Sequence, residues 1–188
     1  MAQTLVKPTP ASARSASWTP PTWILGWFLI STLAVCWDIG FVLARPRSFK
    51  GGDLHWIWSP YALYEKVDLV YSPSHFERGE GFTSAQTYMN IVESILNFAF
   101  LWLSGRKSPV AILVGFSAVL MTASKTVLYW LVDHQSGWAA TGHNSSRDWW
   151  LLFAIPNGFW LVFPTFIAVL FGFEISKSLR IAAKQKQL

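Results

Sequence analysis

The sequence predicts an all-α fold, an integral membrane four-helix bundle with a luminal lid segment, and three observations carry that reading. Hydrophobic residues make up 52% of the 188 positions and charged residues only 13%, the composition of a membrane protein. Four stretches, about 23–43, 83–103, 109–132 and 150–173, are each long enough to cross a hydrocarbon core, which takes roughly 20 apolar residues. Twelve tryptophans are far more than a soluble domain usually carries, and tryptophan favours the membrane boundary. Four spans leave room for one domain, residues 22–175, between a tail at 1–21 and a basic tail at 176–188.

The N-terminal stretch MAQTLVKPTPASARSASWTPP is rich in Pro, Ser, Ala and Thr and lacks the apolar core of a cleavable signal peptide. It reads as a disordered cytosolic tail, with a transit peptide as the competing reading. The first span, WILGWFLISTLAVCWDIGFVLA, ends at RPRSFKGGD, where Pro46, Gly51 and Gly52 stop a helix. The connection that follows contains WIWSPYALYEKVDLVY, dense in Trp and Tyr as an interfacial segment is, with a short helix after Pro60. It is expected to lie as a lid over the helix ends. SPSHFERGEG leads into the second span, and the tight turn SGRKSP makes the second and third spans antiparallel neighbours. DHQSGWAATGHNSSRD forms a second luminal loop before the fourth span.

Charge sets the expected orientation. The net charge of +5 does not point to nucleic acid, because the basic residues cluster near span ends rather than along one face. With a cytosolic N-terminus, Lys7, Arg14, Arg106, Lys107, Lys177, Arg180, Lys184 and Lys186 fall on the cytosolic side. Arg45, Arg47, Lys50, Lys66, Arg78 and Arg147 fall on the other, so the larger group is cytosolic and both termini are placed there. The terminal KQKQL resembles a dilysine retrieval signal, which implies the endoplasmic reticulum membrane; a short basic tail that happens to fit is the alternative. Asn144 in NSS would be luminal. Cys36 is the single cysteine, which excludes an internal disulfide.

The chemistry lies in polar residues inside apolar helices. Gln86, Asn90, Glu93 and Asn97 step by four, three and four, and so share one face of the second span. A carboxylate in mid-membrane costs about 2.5–3.5 kcal/mol, so that face must meet protein or a watered cavity. Lys125 and Tyr129 in the third span, Asn157 and Trp160 in the fourth and Asp38 in the first offer partners. With a rise of about 1.5 Å per residue, Asp38, Lys125, Asn157 and Glu93 lie roughly 8–15 Å below the luminal ends. Convergence there predicts a pocket with aromatic walls and few polar points, suited to a lipophilic, polycyclic or amine-bearing ligand. The plain alternative is that the amides only glue helices together and that Glu93 and Lys125 form a buried ion pair. No P-loop, dinucleotide fingerprint, zinc motif or catalytic triad is visible, so neither a cofactor nor a metal is expected; the four histidines are scattered along luminal segments.

WDIGFVL, YEKVDLVY, GFTSAQTYMNIVES, KTVLYWLVDH and PNGFWLVFP, in that order over residues 23–175, resemble the EXPERA superfamily. That superfamily groups the emopamil-binding protein, a sterol double-bond isomerase, with the sigma-2 receptor and the transmembrane 6 superfamily. Asp38 and Asp68 are similar to two acids of sigma-2-type members, and Glu93 to the second-span acid of both branches. Asn157 and Trp160 resemble the Asn and Trp of the isomerase pocket. The chain departs from the isomerase pattern at Ala34, where a His is expected, and at Lys125 and Thr126, which stand for Gly and Asp. The set is most similar to a fungal-type branch.

Two functions follow from the resemblance and the pocket. One is an isomerase or cyclase acting on a sterol- or terpenoid-like alkene, with Glu93 as acid, Asp38 or Asp68 as the second acid or base, and Gln86, Asn90, Lys125, Tyr129, Asn157 and Trp160 around the substrate. The other is a non-catalytic sterol or lipid binder. A Glu93 paired with Lys125 favours binding, and a Glu93 held apart and protonated favours catalysis. The expected partners are a lipophilic small molecule and membrane lipids, with a homodimer left open.

Overall fold

On each long helix the large apolar residues point away from the protein: Leu29, Ile30 and Leu33; then Tyr88, Val92, Ile95 and Trp102; then Leu113, Leu120 and Leu128; then Phe159, Val162, Phe166 and Phe173 are all exposed. The computed structural model describes residues 18–186, and these are all-helical with no strand among them. In chain order the helices are α1 (Thr22–Leu43), α2 (Tyr61–Val67), α3 (Pro73–Glu77), α4 (Phe82–Gly105) and α5 (Ala111–Gln135). A last helical run, α6, spans Ser146–Gln185. Two short 3-10 turns, His55–Trp58 and Leu69–Tyr71, flank α2. Among the long helices, α1 packs on α4, α4 on α5 and α5 on α6.

Three of these helices, α1, α5 and α6, are long and apolar enough to cross a membrane. The sequence reading counted four apolar spans, and α4 differs for a definite reason. Its inward face buries Thr83, Thr87, Glu93, Ser94, Asn97 and Ser104. These lower its mean hydropathy although its 24 residues are enough for a crossing.

The fourth expected span, 150–173, is also longer at both ends in the structure. Charged residues end an apolar stretch but not a helix, and SKSLRIAAKQ contains neither Gly nor Pro, so α6 continues to Gln185 through the residues read as a separate basic tail. Near its start, Trp149–Ala154 is π-helical. The widened turn precedes Pro156, which has no N–H to donate, and Ile155 N bonds instead to the Trp150 carbonyl five residues back.

One end of the protein is solidly packed. Ile24, Phe28, Phe100, Ala118, Ile167 and Phe171 have no more than 1% of their surface exposed, and the Phe28 and Phe100 rings are 4.1 Å apart. Trp18 meets Phe171 edge-on at 5.3 Å, so the residues just before α1 are docked on this core. Most of the expected disordered tail, residues 1–17 with Lys7 and Arg14, lies outside the described residues, as do the last two residues of KQKQL. Gly115 lets α5 come close to this cluster: an added Cβ there would lie 2.6 Å from the Phe100 ring and 2.7 Å from the Phe171 ring.

At the other end the two long connections are fastened to the helices. Phe41 of α1 stacks on Tyr61 of α2 at 3.9 Å, and Trp58 Nε1 donates to the Trp37 carbonyl at 2.8 Å. Residues 136–145 are folded around Asp133, whose carboxylate accepts from Ala140 N at 2.9 Å and Thr141 Oγ1 at 2.5 Å. Asn144 Nδ2 donates to the carbonyls of Val67 and Thr141, both at 2.7 Å, joining the two connections. The amide of the NSS sequon is thus engaged in holding the fold.

Replacing Gly115 with Val should lower the melting temperature of the purified protein in detergent, by the ~1–3 kcal/mol typical of overpacking a tight core. An unchanged melting temperature would mean that α5 does not meet the Phe100 and Phe171 rings this closely.

Candidate functional site

Above the packed core the four long helices part around a cavity of about 370 Å³. Each contributes one short stretch: Ala34, Val35, Trp37 and Asp38 from α1; Gln86, Asn90 and Glu93 from α4; Thr122, Lys125, Thr126 and Tyr129 from α5; Pro156, Asn157 and Trp160 from α6. Pro60, Tyr61, Tyr64 and Tyr71 of the first connection complete the wall. Eight of the nine residues selected from sequence therefore face one space. Asn97, the last member of the α4 stripe, is buried but lies one turn beyond it.

The ninth, Asp68, is placed differently. It is buried behind Tyr129, whose hydroxyl it accepts, and borders a second cavity of about 430 Å³ with His75, Arg78, Glu80 and Asp133. Tyr129 lines both spaces. Burial pushes the Asp68 carboxyl up to about 6, against the opposing hydrogen bonds from Tyr129 and Val70 N. A raised carboxyl means that the folded protein holds the proton more tightly than the unfolded chain. Asp68 therefore favours folding below its ordinary value and loses that contribution as pH rises towards 6.

The polar centre of the main cavity is a contact between α4 and α5. Lys125 Nζ lies 2.9 Å from Glu93 Oε2, with the Glu93 side chain 2% exposed. The ammonium directs a hydrogen bond to Asn90 Oδ1, while Glu93 Oε2 receives no aligned hydrogen bond despite its burial. The charges thus neutralise each other by proximity, and Asn90 supplies the directional bond. Gln86 Nε2 donates to the Lys125 backbone carbonyl at 3.3 Å, so three α4 side chains hold one α5 residue. Helix spacing explains this: residues at i, i+4 and i+7 lie on one face.

Asp38 has a different environment. Tyr61 OH donates to its Oδ1 at 2.5 Å, and no ion pair reaches it among the described residues. Burial, followed by the nearby Asp38 carboxylate, raises the phenols of Tyr61 and Tyr71; burial and Asp68 raise that of Tyr64. All three remain protonated hydroxyls at working pH. Tyr64 OH lies 3.4 Å from Asn157 Nδ2, which also donates to the Phe153 carbonyl at 2.9 Å. The Trp160 ring is held against Trp27 with centroids 5.7 Å apart. Pro164, having no N–H, removes the bond that the Trp160 carbonyl would receive in a regular helix.

The sequence reading did not select Tyr61, Tyr64 or Tyr71 individually. Part of their signal was present: 61 and 64 are three apart on one helix and so face one side, whereas Tyr71 lies in a separate turn beyond the end of that helix. Among the described residues, no group of three His, Cys, Asp or Glu side chains converges as metal ligands would. No family model matches the chain, and no curated protein is similar to it.

Glu93 and Lys125 define a double-mutant cycle. Glu93→Gln strands a buried ammonium and Lys125→Met a buried carboxylate, so each single variant should lose roughly 3–5 kcal/mol of stability. The double variant should regain most of it. Thermal unfolding of the four proteins measures this, and strictly additive losses would mean that the two groups do not interact.

Proposed function

We propose that the chain is a multi-pass membrane protein that binds a lipophilic, sterol- or terpenoid-sized molecule in the main cavity, with a basic group of the ligand directed at Asp38. The observation that carries this reading is a cavity carboxyl group with no ion pair among the described residues, set among aromatic rings. Lys125 is already engaged by Glu93, which leaves Asp38 to meet a basic group of the ligand. Tyr61, Tyr64, Tyr71, Trp37 and Trp160 around it offer the ring faces that attract a desolvated ammonium. A volume of about 370 Å³ lies at the lower end of the range for small-molecule sites, roughly 300–1,000 Å³.

Four crossings suit this protein better than three. The outward face of α4 carries Tyr88, Met89, Val92, Ile95, Phe98 and Trp102, all exposed, so it meets lipid as readily as its neighbours do. The helices then form a four-helix bundle, with the first connection as a lid over the cavity. An even number of crossings puts both termini on one side, and the distribution of basic residues supports the cytosol. The resemblance to the EXPERA superfamily gains weight from the placement of Asp38, Glu93, Asn157 and Trp160 around one space.

Asp38 also supports a second reading, an isomerase or cyclase acting on a lipophilic alkene. An acid catalyst must be free to hold and release a proton, and Glu93 in contact with Lys125 is poorly suited to that. Asp38, hydrogen-bonded by Tyr61 and in no ion pair among the described residues, would take the acid role, with the Trp160 ring facing the carbocation.

Binding of a lipophilic tertiary amine to the purified protein, followed by tryptophan fluorescence, tests the proposal. Asp38→Asn should weaken binding at least tenfold, and the neutral hydrocarbon analogue should bind both proteins alike. Equal amine affinity in the two proteins would contradict the assignment of Asp38. Untargeted lipid analysis of cells lacking or overexpressing the protein separates the two readings, because only an enzyme shifts a precursor and its isomer in opposite directions.

A further inference from the structure

We infer that Lys125 is a covalent anchor that captures the carbonyl group of a lipophilic aldehyde in the main cavity as a Schiff base, with Glu93 as proton acceptor and counterion. The inference rests on the proposal that the cavity takes up a lipophile, but not on the basic group or on Asp38.

Lys125 is set apart from the other described lysines. Lys50, Lys66, Lys107, Lys177, Lys184 and Lys186 are exposed, whereas the Lys125 side chain is 11% exposed and its free surface borders a cavity walled by aromatic rings. An amine removed from water in an apolar pocket is the form in which lysine acts as a nucleophile. As a helix tie it would be a costly choice, because a pair of amides would join α4 to α5 without burying charge. Glu93 Oε2 lies 2.9 Å from Nζ, within reach of a proton that the ammonium gives up. Asn90 Oδ1 accepts from Nζ and fixes where the amine sits.

The chemistry balances without any oxidant or reductant. The ammonium passes one proton to Glu93. The neutral Nζ then attacks the carbonyl carbon, forming the C–N bond while the carbonyl electron pair moves to oxygen, which takes one of the two protons Nζ still carries. The second Nζ proton leaves with that oxygen as water as the C–O bond breaks and the nitrogen lone pair closes the C=N bond. The proton held by Glu93 returns to the imine nitrogen. Lysine ammonium and aldehyde thus become protonated imine and water, charge is conserved, and the Glu93 carboxylate faces the iminium as it faced the ammonium. An isoprenoid aldehyde suits the space, since the rings of Trp37, Tyr61, Tyr64, Tyr71, Tyr129 and Trp160 offer faces for its hydrocarbon chain.

The test uses the full-length protein in mild detergent with farnesal as probe, borohydride to fix any imine, and peptide mapping by mass spectrometry. Farnesol, the same chain without a carbonyl, reports noncovalent uptake through tryptophan quenching. The expected result is one reduced adduct, on Lys125, suppressed at least tenfold by excess farnesol and absent from Lys125→Arg, which keeps the positive charge beside Glu93. If Lys125→Arg does not fold, protection by farnesol in the wild-type protein decides the matter alone. Binding of farnesol without modification of Lys125, or modification spread equally over the exposed lysines, overturns the anchor and leaves the proposed binding function standing. Failure of farnesol to bind, with no adduct formed, overturns both.

Discussion

The contact between Glu93 and Lys125 is the constraint on which the cavity end of the protein depends. It places opposite charges 2.9 Å apart on α4 and α5, where neither could stand alone. Once it is made, the neighbouring groups have defined partners: Asn90 takes a hydrogen bond from the ammonium, Gln86 reaches the Lys125 carbonyl, and Tyr129, one turn further along α5, reaches Asp68 in the first connection. The chain of contacts runs from the middle of two helices to the segment that covers them.

The protein has two layers with opposite logic. In one, phenylalanines and small residues fill all the space, and Gly115 lets the helices come close. In the other, tyrosines, amides and ionisable groups stand around an opening and bond to one another across it. Serine and threonine hydroxyls soften the change between them by bonding to carbonyls of their own helices, as Thr32, Thr87, Thr122 and Thr126 do. The proposed binding site belongs to the open layer, where the cavity lies.

Much of this was legible from local rules. The stripe on α4 followed from helical spacing, and the partners across from it followed from counting residues inward from the ends of each apolar stretch. That count works because a helix has a fixed rise per residue. It fails for residues in connections, where depth is not proportional to sequence distance. Asp68 and Asp38 both looked like pocket acids, but only Asp38 lies on a long helix, and Asp68 turned out to be behind Tyr129. The tyrosines of the first connection were read as part of an aromatic boundary, because the same residue types serve both purposes. Asp133 and Asn144 carry no sequence signal for their loop-bracing role, which depends on bonds to the backbone of residues 67, 140 and 141. The helical continuation of α6 to Gln185 had no hydropathy signal, because hydropathy reports the solvent around a helix, not where its hydrogen bonds stop.

The account depends most on Glu93 being ionised inside the protein. Isotope-edited infrared spectroscopy with labelled glutamate, taken as the difference between the wild-type protein and Glu93→Gln at neutral pH, reads that state directly. The account predicts that the difference contains the antisymmetric stretch of a carboxylate and no carboxylic acid carbonyl band. A carbonyl band of a protonated acid, lost in Glu93→Gln, would contradict it, since Glu93 would then be a neutral proton donor and Lys125 would lack its counterion.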